Sequence, residues 1–549
     1  MPSTKPKYIF VCGGVMSSVG KGVATASIGK ILQARGYAVS LVKCDMYVNI
    51  DAGTIRPTEH GEVFVGEDGI EADQDLGTYE RFTDQVSTAA HYLTTGQVYA
   101  EVIRRERDLE YEGEDVEVVP DIPNEIIRRI ETVAEDDKGD FVVIEIGGTV
   151  GEYQNVLFLE AARMMKSRHK NDVLFVLVSY LPIPGKVGEM KTKPTQYASR
   201  TLNATGIQAD FILCRSEQPI DDKRREKLAL FCNIEPEEAI SAPDVDSIYD
   251  VPVNFAKDGL DIKILNKLGL KPRDDKLREW VDFAQHIKEL RESVHIGVVG
   301  KYFNTGEFTL ADSYISVIES IKHASWSLGF QPRILWLDAE AYEKDPAKLE
   351  ELQACDGVIV PGGFGSRGVE GKIKAIEFCR TNRIPYFGLC YGLQLAVVEF
   401  ARNICGLENA NTTEVAKNTP HPVIDLMPEQ VANIKEKRLG GSMRLGAYAC
   451  KLQSGTASAQ AYEAELISER HRHRYEVNNA YRKQLEEKGM VVAGVNPERD
   501  LVEIIELPDH PFFIGTQFHP EFKSRPLAPH PLFSAFIKKA AVFRQQFPD

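Results

Sequence analysis

No two of the nine cysteines stand as a C-x-x-C pair, so zinc-finger and dithiol redox chemistry lack their ligand spacing. No apolar run is long enough to span a bilayer, and the polar lead MPSTKPK lacks the apolar segment of a signal peptide. Unpaired thiols without a targeting segment lead us to expect a reducing, cytoplasmic location. Positive charge is scarce: 65 Lys and Arg against 81 Asp and Glu leave a net charge of −16. That balance argues against non-specific nucleic-acid binding and against an anionic membrane surface. Repeats and low-complexity tracts are also missing, which excludes solenoids and disordered arrays. An anionic substrate therefore has to be met by positive charge concentrated locally.

What is present is a 549-residue chain of ordinary globular composition, 43% hydrophobic and 27% charged, too long for one core. Apolar runs YIFVC (8–12), VSLVKC (39–44), FVVIEI (141–146), VLFVLV (173–178) and FILC (211–214) alternate with helical stretches. Runs apolar on both faces and separated by helices predict a parallel, doubly wound sheet. The pattern restarts with HIGVVG (295–300), RILWL (333–337), GVIVP (357–361) and IPYFGL (384–389). Between them, 272–293 reads as a charged linker helix with Trp280, Val281, Phe283, Ala284 and Ile287 at helical spacing. We expect an α/β protein of two domains, 1–271 and 294–549, joined by that helix.

In the second half, IPYFGLCYGLQ places Cys390 between Gly388 and Gly392, where a strand can turn sharply into a helix and present a thiol at the helix start. A helix N-terminus favours the thiolate, the form that attacks carbonyl carbon. Far downstream, TQFHPEF offers His519 to take the thiol proton and Glu521, two residues on in the same extended segment, to orient the imidazole. PGGFG (361–365) follows another apolar strand and supplies free N–H groups for an oxyanion. The other eight cysteines read as small buried hydrophobes.

In the first half, the first strand runs into GGVMSSVGKG (13–22) and a small-residue helix, an anion cradle with Lys21 placed to reach terminal phosphates. The match to G-x-x-x-x-G-K-[ST] is imperfect: Val15 stands at the first glycine, and Gly22 replaces the hydroxyl that touches magnesium. Metal binding would then fall to Asp75 and to Glu145, a carboxylate in an otherwise apolar strand. GEMKTKPTQ (188–196) sets Lys191 and Lys193 before a helix, which hints at an anion between them, although on these residues alone a solvated loop is slightly the better reading. The run RHRHR (470–474) lacks interleaved aromatics and does not read as a nucleic-acid contact.

These segments together with HGEVFVGEDG (60–69), EIGGTVG (145–151), DVDSIY (244–249), PGGFGSRGVEGK, MRLG (443–446) and RHRYEVN (472–478) resemble the CTP synthase family over nearly the whole chain. The resemblance implies an N-terminal synthase domain of P-loop-like parallel α/β fold and a C-terminal class I glutamine amidotransferase domain of flavodoxin-like fold. Its reaction would be ATP-dependent amination of UTP to CTP through a 4-phosphorylated intermediate, with ammonia from glutamine hydrolysed by Cys390, His519 and Glu521. By the same resemblance Ser18, Val19, Gly20, Lys21, Gly22, Val23, Asp75, Pro243, Asp244 and Val245 would hold ATP, and Asp75 and Glu145 magnesium. Ser17, Lys191, Thr192, Lys193, Pro194, Thr195, Gln196 and Lys227 would face UTP, with Lys43 at the transferred phosphate. Gly363, Tyr391, Gly392, Leu393, Gln394, Glu414 and Arg474 would hold glutamine.

The resemblance further implies GTP activation, CTP feedback, a homotetramer, filaments in some members, and a shielded passage for ammonia between domains. Glu152, Tyr153 and Gln154 depart from the family's Gly-Asp-Ile-Glu-Ser at a stretch that recognises cytosine, so altered CTP feedback is expected. Asp121 in place of a usual histidine and Ser366 in place of a usual tyrosine bear on the GTP response. Two alternatives stand beside this reading: an ATP-dependent amidotransferase with another acceptor, and an assembly scaffold of reduced activity.

Overall fold

The structure, a computed structural model, describes residues 5–57, 61–185, 188–301, 311–427, 430 and 440–546. His60, the first residue of the HGEVFVGEDG stretch, lies outside them. The chain divides into two compact units, one of 1–51 with 75–288 and the other of 52–74 with 289–549.

The first unit is built on a seven-stranded sheet in the order Tyr92–Thr94, Val39–Asp45, Phe141–Ile146, Lys7–Gly13, Val173–Tyr180, Phe211–Ser216 and Ala239–Pro243. Every pairing in it is parallel. The strand core is buried on both faces, which is why these segments read as unbroken apolar runs. The order reverses on either side of Lys7–Gly13, so the glycine-rich loop that follows this strand opens at the switch point, where such sheets bind ligands.

The second unit carries a nine-stranded sheet in the order Gln331–Asp338, Ser293–Gly300, Gly357–Val360, Tyr386–Leu389, Phe513–Thr516, Val502–Glu506, Val491–Val495, Arg444–Leu452 and Leu466–His473. The first five strands are parallel, as expected, and the remaining four run antiparallel.

The units depart from the expected division in two places. Residues 52–74 belong to the second unit, not to 1–271. Val63–Val65 and Glu71–Asp73 form a hairpin whose Phe64 is fully buried and packs edge-on to Phe522, ring centroids 5.1 Å apart, while Ala447 N–H donates to Glu67 O at 2.9 Å. Helix Arg278–Glu289, read as part of the linker 272–293, belongs up to Lys288 to the first unit. Its buried Trp280 donates to Tyr249 O at 2.9 Å and packs against Phe82 at 5.3 Å. Burying a large apolar side chain contributes roughly 1.5–3 kcal/mol, ample reason for an amphipathic helix to settle on one core.

Candidate functional site

In the second unit, strand Tyr386–Leu389 ends at Cys390, whose φ of 49° and ψ of −95° begin helix Tyr391–Asn403. A left-handed φ on a residue with a side chain is strained, and strain of this kind collects at reactive turns. The flanking glycines are required by close approach: a Cβ at Gly392 would lie 2.2 Å from Val360 O, and one at Gly388 2.6 Å from the Tyr386 hydroxyl. Leu389 pairs with Thr516, and Cys390 N–H donates to Thr516 O at 2.6 Å, so the nucleophile's turn is stitched to the strand leading to His519.

His519 is buried, and its Nδ1–H donates to Glu521 Oε1 at 2.7 Å. Residues 520–523 form a single 3₁₀ turn rather than the extended segment expected, and Pro520 at its start favours that turn. Burial opposes charge on the imidazole, but Glu521 and the Cys390 sulfur outweigh it and hold its pKa up at about 10. An imidazolium beside the sulfur favours the thiolate. Gly362 leaves room for the ring, since a Cβ there would lie 2.8 Å from His519 Cε1. Burial pushes the thiols of Cys12 and Cys355 up to about 12.

Cys390, His519 and Glu521 line a cavity of about 610 Å³ together with Gly363, Gln394, Glu414 and Arg474. Glu414 Oε1 accepts the N–H of Gly365 at 2.6 Å, and burial raises its pKa. Arg474 donates to Gln430 Oε1 at 2.8 Å and to Ser442 Oγ at 2.9 Å. A carboxylate and a guanidinium in one cavity match the ammonium and carboxylate ends of an amino acid. Tyr391, Gly392 and Leu393 stand behind the wall as buried helix residues, and the Tyr391 hydroxyl donates to Gly365 O at 3.0 Å.

Sequence reasoning missed much of this wall, including Arg472, His473, Tyr475 and residues 53–57. Its signal was the RHRHR run. Arg470 is 1% exposed and pairs with Glu67 at 3.0 Å, and Arg472 pairs with Glu71 at 2.8 Å. The basic run thus anchors the hairpin of 52–74 inside the second unit.

In the first unit, Val15, Ser18 and Gly20 carry positive φ in the loop before helix Lys21–Ala34. Ser17 and Ser18 are exposed, Val19 and Lys21 are buried, and Lys21 Nζ donates to Gly148 O at 2.9 Å. Gly22 has a structural reason: a Cβ there would lie 2.0 Å from Asp75 Oδ1. The carboxylate therefore stands where the usual phosphate loop places its hydroxyl. Restoring that hydroxyl as Gly22→Ser is expected to lower ammonium- and glutamine-dependent turnover together by roughly 100-fold or more, the scale for misplacing a positioned group. Steady-state rates with each nitrogen source would check it.

Lys43 Nζ is clamped between Asp75 Oδ2 and Glu145 Oε1, the latter at 2.8 Å, with Asp45 at 3.7 Å and the Tyr79 hydroxyl on Glu145 Oε2. Burial and Glu145 raise the Asp75 pKa against the pull of Lys43. A second cavity, about 200 Å³, is lined by Gly20, Val23, Pro243, Asp244 and Val245. Arg215, overlooked in the sequence, lines it too and holds Asp244 at 2.8 Å.

Around helix Lys193–Ala204, Lys191 pairs with Glu189 at 2.6 Å, and Arg224 reaches the same carboxylate at 3.3 Å. These cations and exposed Lys227 depress the Glu189 pKa, so Glu189 is the anion these basic groups share. Lys193 is exposed and Pro194 half-buried; buried Thr195 accepts from Ser179 Oγ at 2.9 Å, and Gln196 donates to Thr192 Oγ1 at 3.1 Å. Glu152 Oε1 accepts the N–H of Thr149 at 2.9 Å, whereas Tyr153 is 95% exposed and Gln154 exposed.

Residues 7–270 match the family model for the CTP synthase N-terminus, and 309–539 that for class I glutamine amidotransferase. A CTP synthase of Caldanaerobacter subterraneus subsp. tengcongensis is 50% identical over 533 residues, 97% of this chain and 98% of that protein. One from Pyrococcus abyssi is 49% identical over 542 residues, 98% of this chain and 99% of its own. The chain belongs to the CTP synthase family. It is accordingly a glutamine-hydrolysing ligase with a synthase and an amidotransferase domain. The solved glutaminase domain of Trypanosoma brucei CTPS with bound acivicin is 38% identical, with a TM-score of 0.42, covering 46% of this chain and 94% of that one.

Proposed function

We propose that the two sites divide the work of CTP synthesis between the residues described, the second unit releasing ammonia and the first activating UTP. The observation that carries this reading is the pairing of Cys390 and the His519–Glu521 couple with Glu414 and Arg474 in one cavity. Glu414 receives the ammonium of glutamine and Arg474 its carboxylate. The Cys390 sulfur attacks the side-chain amide, His519 passes the thiol proton to the leaving nitrogen, and ammonia departs from a thioester. Water then frees glutamate and restores the thiol. Backbone N–H groups of Gly362 and Gly363, which line the cavity, receive the oxyanion in this reading.

In the first unit the uracil 4-oxygen is a poor leaving group, so it is first phosphorylated from ATP and then displaced as phosphate by ammonia. Lys21 and the 18–23 loop hold the polyphosphate, Pro243 to Val245 and Arg215 meet adenine, and Lys43 lies at the transferred group. Ser17, Lys191, Lys193, Gln196 and Lys227 face UTP, with Glu189 as the internal partner that nucleotide phosphates displace. Among the described residues no group of three His, Cys, Asp or Glu is gathered to hold a metal by itself. Asp75 and Glu145 nonetheless fit a magnesium ion: they already share one cation, the Lys43 ammonium, and burial together with the Glu145 charge raises the Asp75 pKa. Magnesium when bound neutralises charge on the phosphates. All nine cysteines are free, which suits a reducing cytoplasm.

CTP feedback, GTP activation and a tetramer complete the proposal, with feedback weakened by Gln154. Gln154→Glu is expected to move the CTP inhibition curve roughly 10-fold toward lower CTP, the scale for restoring a hydrogen bond to a charged group. Matching curves for parent and variant would sink the idea. The proposal as a whole is tested by CTP formation from UTP, ATP and magnesium with glutamine plus GTP in one reaction and ammonium in another. Product in both supports it; glutamine hydrolysis without product in either points to another acceptor.

A further inference from the structure

A buried amide touches the nucleophile. Gln517 is fully buried, and its Nε2–H donates to Cys390 Sγ at 3.6 Å. The direction of that bond is set by the neighbours. Tyr475 O is an acceptor only, so the Gln394 group that meets it at 2.8 Å is its NH2. The same Gln394 Nε2 donates to Gln517 Oε1 at 3.3 Å. With its oxygen so engaged, Gln517 can offer the sulfur only N–H. The main chain holds it as well, Gln517 N–H donating to Glu503 O at 2.8 Å.

A fixed N–H donor lowers the energy of an anion and does little for a thiol. The sulfur needs such a donor, because the thiol S–H also faces Arg472 O at 3.9 Å, a carbonyl that favours the protonated form. We propose that Gln517 is a catalytic residue of the glutaminase reaction, an amide donor that stabilises the Cys390 thiolate and is aimed by Gln394 and the Tyr475 carbonyl. This rests on the reading of Cys390 as the nucleophile. It also gives Gln394 a second duty beside glutamine contact, as the residue that orients the donor.

The test is the pH dependence of Cys390 alkylation by iodoacetamide in the full-length protein, read at the Cys390 peptide by mass spectrometry because Cys405 is only partly buried. The titratable groups nearest the sulfur are His519 and, behind it, Glu521; Arg56, Glu62, Glu414, Arg472, His473 and Arg474 line the same cavity. Substitution at 517 leaves all of these in place. Gln517→Leu is expected to raise the alkylation midpoint by about one pH unit and to lower glutaminase kcat/KM about 10- to 100-fold, mainly through kcat, the range for losing a hydrogen bond to a charged group. Gln517→Glu, of nearly the same shape, sets a carboxylate against the sulfur and should raise the midpoint further. Circular dichroism and a thermal melt establish that each variant is folded. An unchanged midpoint in either folded variant, with Cys390→Ala devoid of glutaminase activity, would overturn the role of Gln517 alone. Glutaminase activity retained by Cys390→Ala would overturn this role together with the nucleophile it depends on.

Discussion

Cys390→Ala is expected to abolish CTP formation from glutamine and to leave CTP formation from ammonium salt close to the parent rate. The first half follows from the chemistry of the cavity: without the sulfur no thioester forms, and His519 and Glu521 have no thiol to activate. Loss of the nucleophile from such a constellation lowers turnover by about 10⁴-fold or more. The second half follows from the division of the chain, because Cys390 and the residues of the phosphate loop belong to different compact units. Cys390 is 4% exposed, so alanine removes one buried sulfur together with its contacts to Gln517 and Arg472 O. The expected stability loss is on the order of 1 kcal/mol, small enough for the fold to persist. Parallel assays of CTP with each nitrogen source measure both halves. A folded Cys390→Ala protein that fails with ammonium would show that the division of labour is wrong.

Lys21→Ala, in contrast, is expected to remove synthesis from both nitrogen sources while glutamine hydrolysis continues. Lys21 begins helix Lys21–Ala34 directly after a loop with three positive-φ residues, and its Nζ is held on Gly148 O at 2.9 Å. That bond keeps the ammonium near the strand ends instead of in solvent. Removing one such preorganised charge from a phosphoryl-transfer site lowers kcat roughly 10²–10³-fold. A single point charge is required here, so Lys21→Arg is expected to recover only part of the rate, the wider guanidinium being poorly matched to a narrow loop. Undiminished ammonium-dependent synthesis in Lys21→Ala would remove the phosphate role of this loop.

Much of this was legible in the chain. The runs 8–12, 39–44, 141–146, 173–178 and 211–214 mark strands of the first sheet because a parallel sheet buried on both faces needs unbroken apolar segments. The antiparallel half of the second sheet was not legible for the converse reason. Leu466–His473 reads as polar and basic because Glu469, Arg470, His471 and His473 are buried against opposite charges and hydrogen-bond partners, a satisfaction that periodicity does not report. The short strand Tyr92–Thr94 has too few residues to show a pattern. The hairpin of 52–74 was assigned to the wrong unit because its neighbours in sequence are not its neighbours in space.

By itself the sequence determined the fold class, the family, and the chemical type of each reactive group, since a cysteine flanked by glycines at a strand end and a lysine after a glycine-rich loop carry their chemistry locally. Only the tertiary structure decided which groups share a cavity and which way each hydrogen bond runs. Gly22 looked like a lost magnesium ligand until Asp75 was found 2.0 Å from where its Cβ would be. Gln517 drew no reading from the sequence, and only the structure shows its amide on the sulfur with Gln394, 123 positions earlier, on its oxygen. The reason is physical: apolar periodicity and turn chemistry act over a few residues and can be read along the chain. Charge pairing, steric exclusion and hydrogen-bond direction depend on distances of about 3 Å between residues hundreds of positions apart.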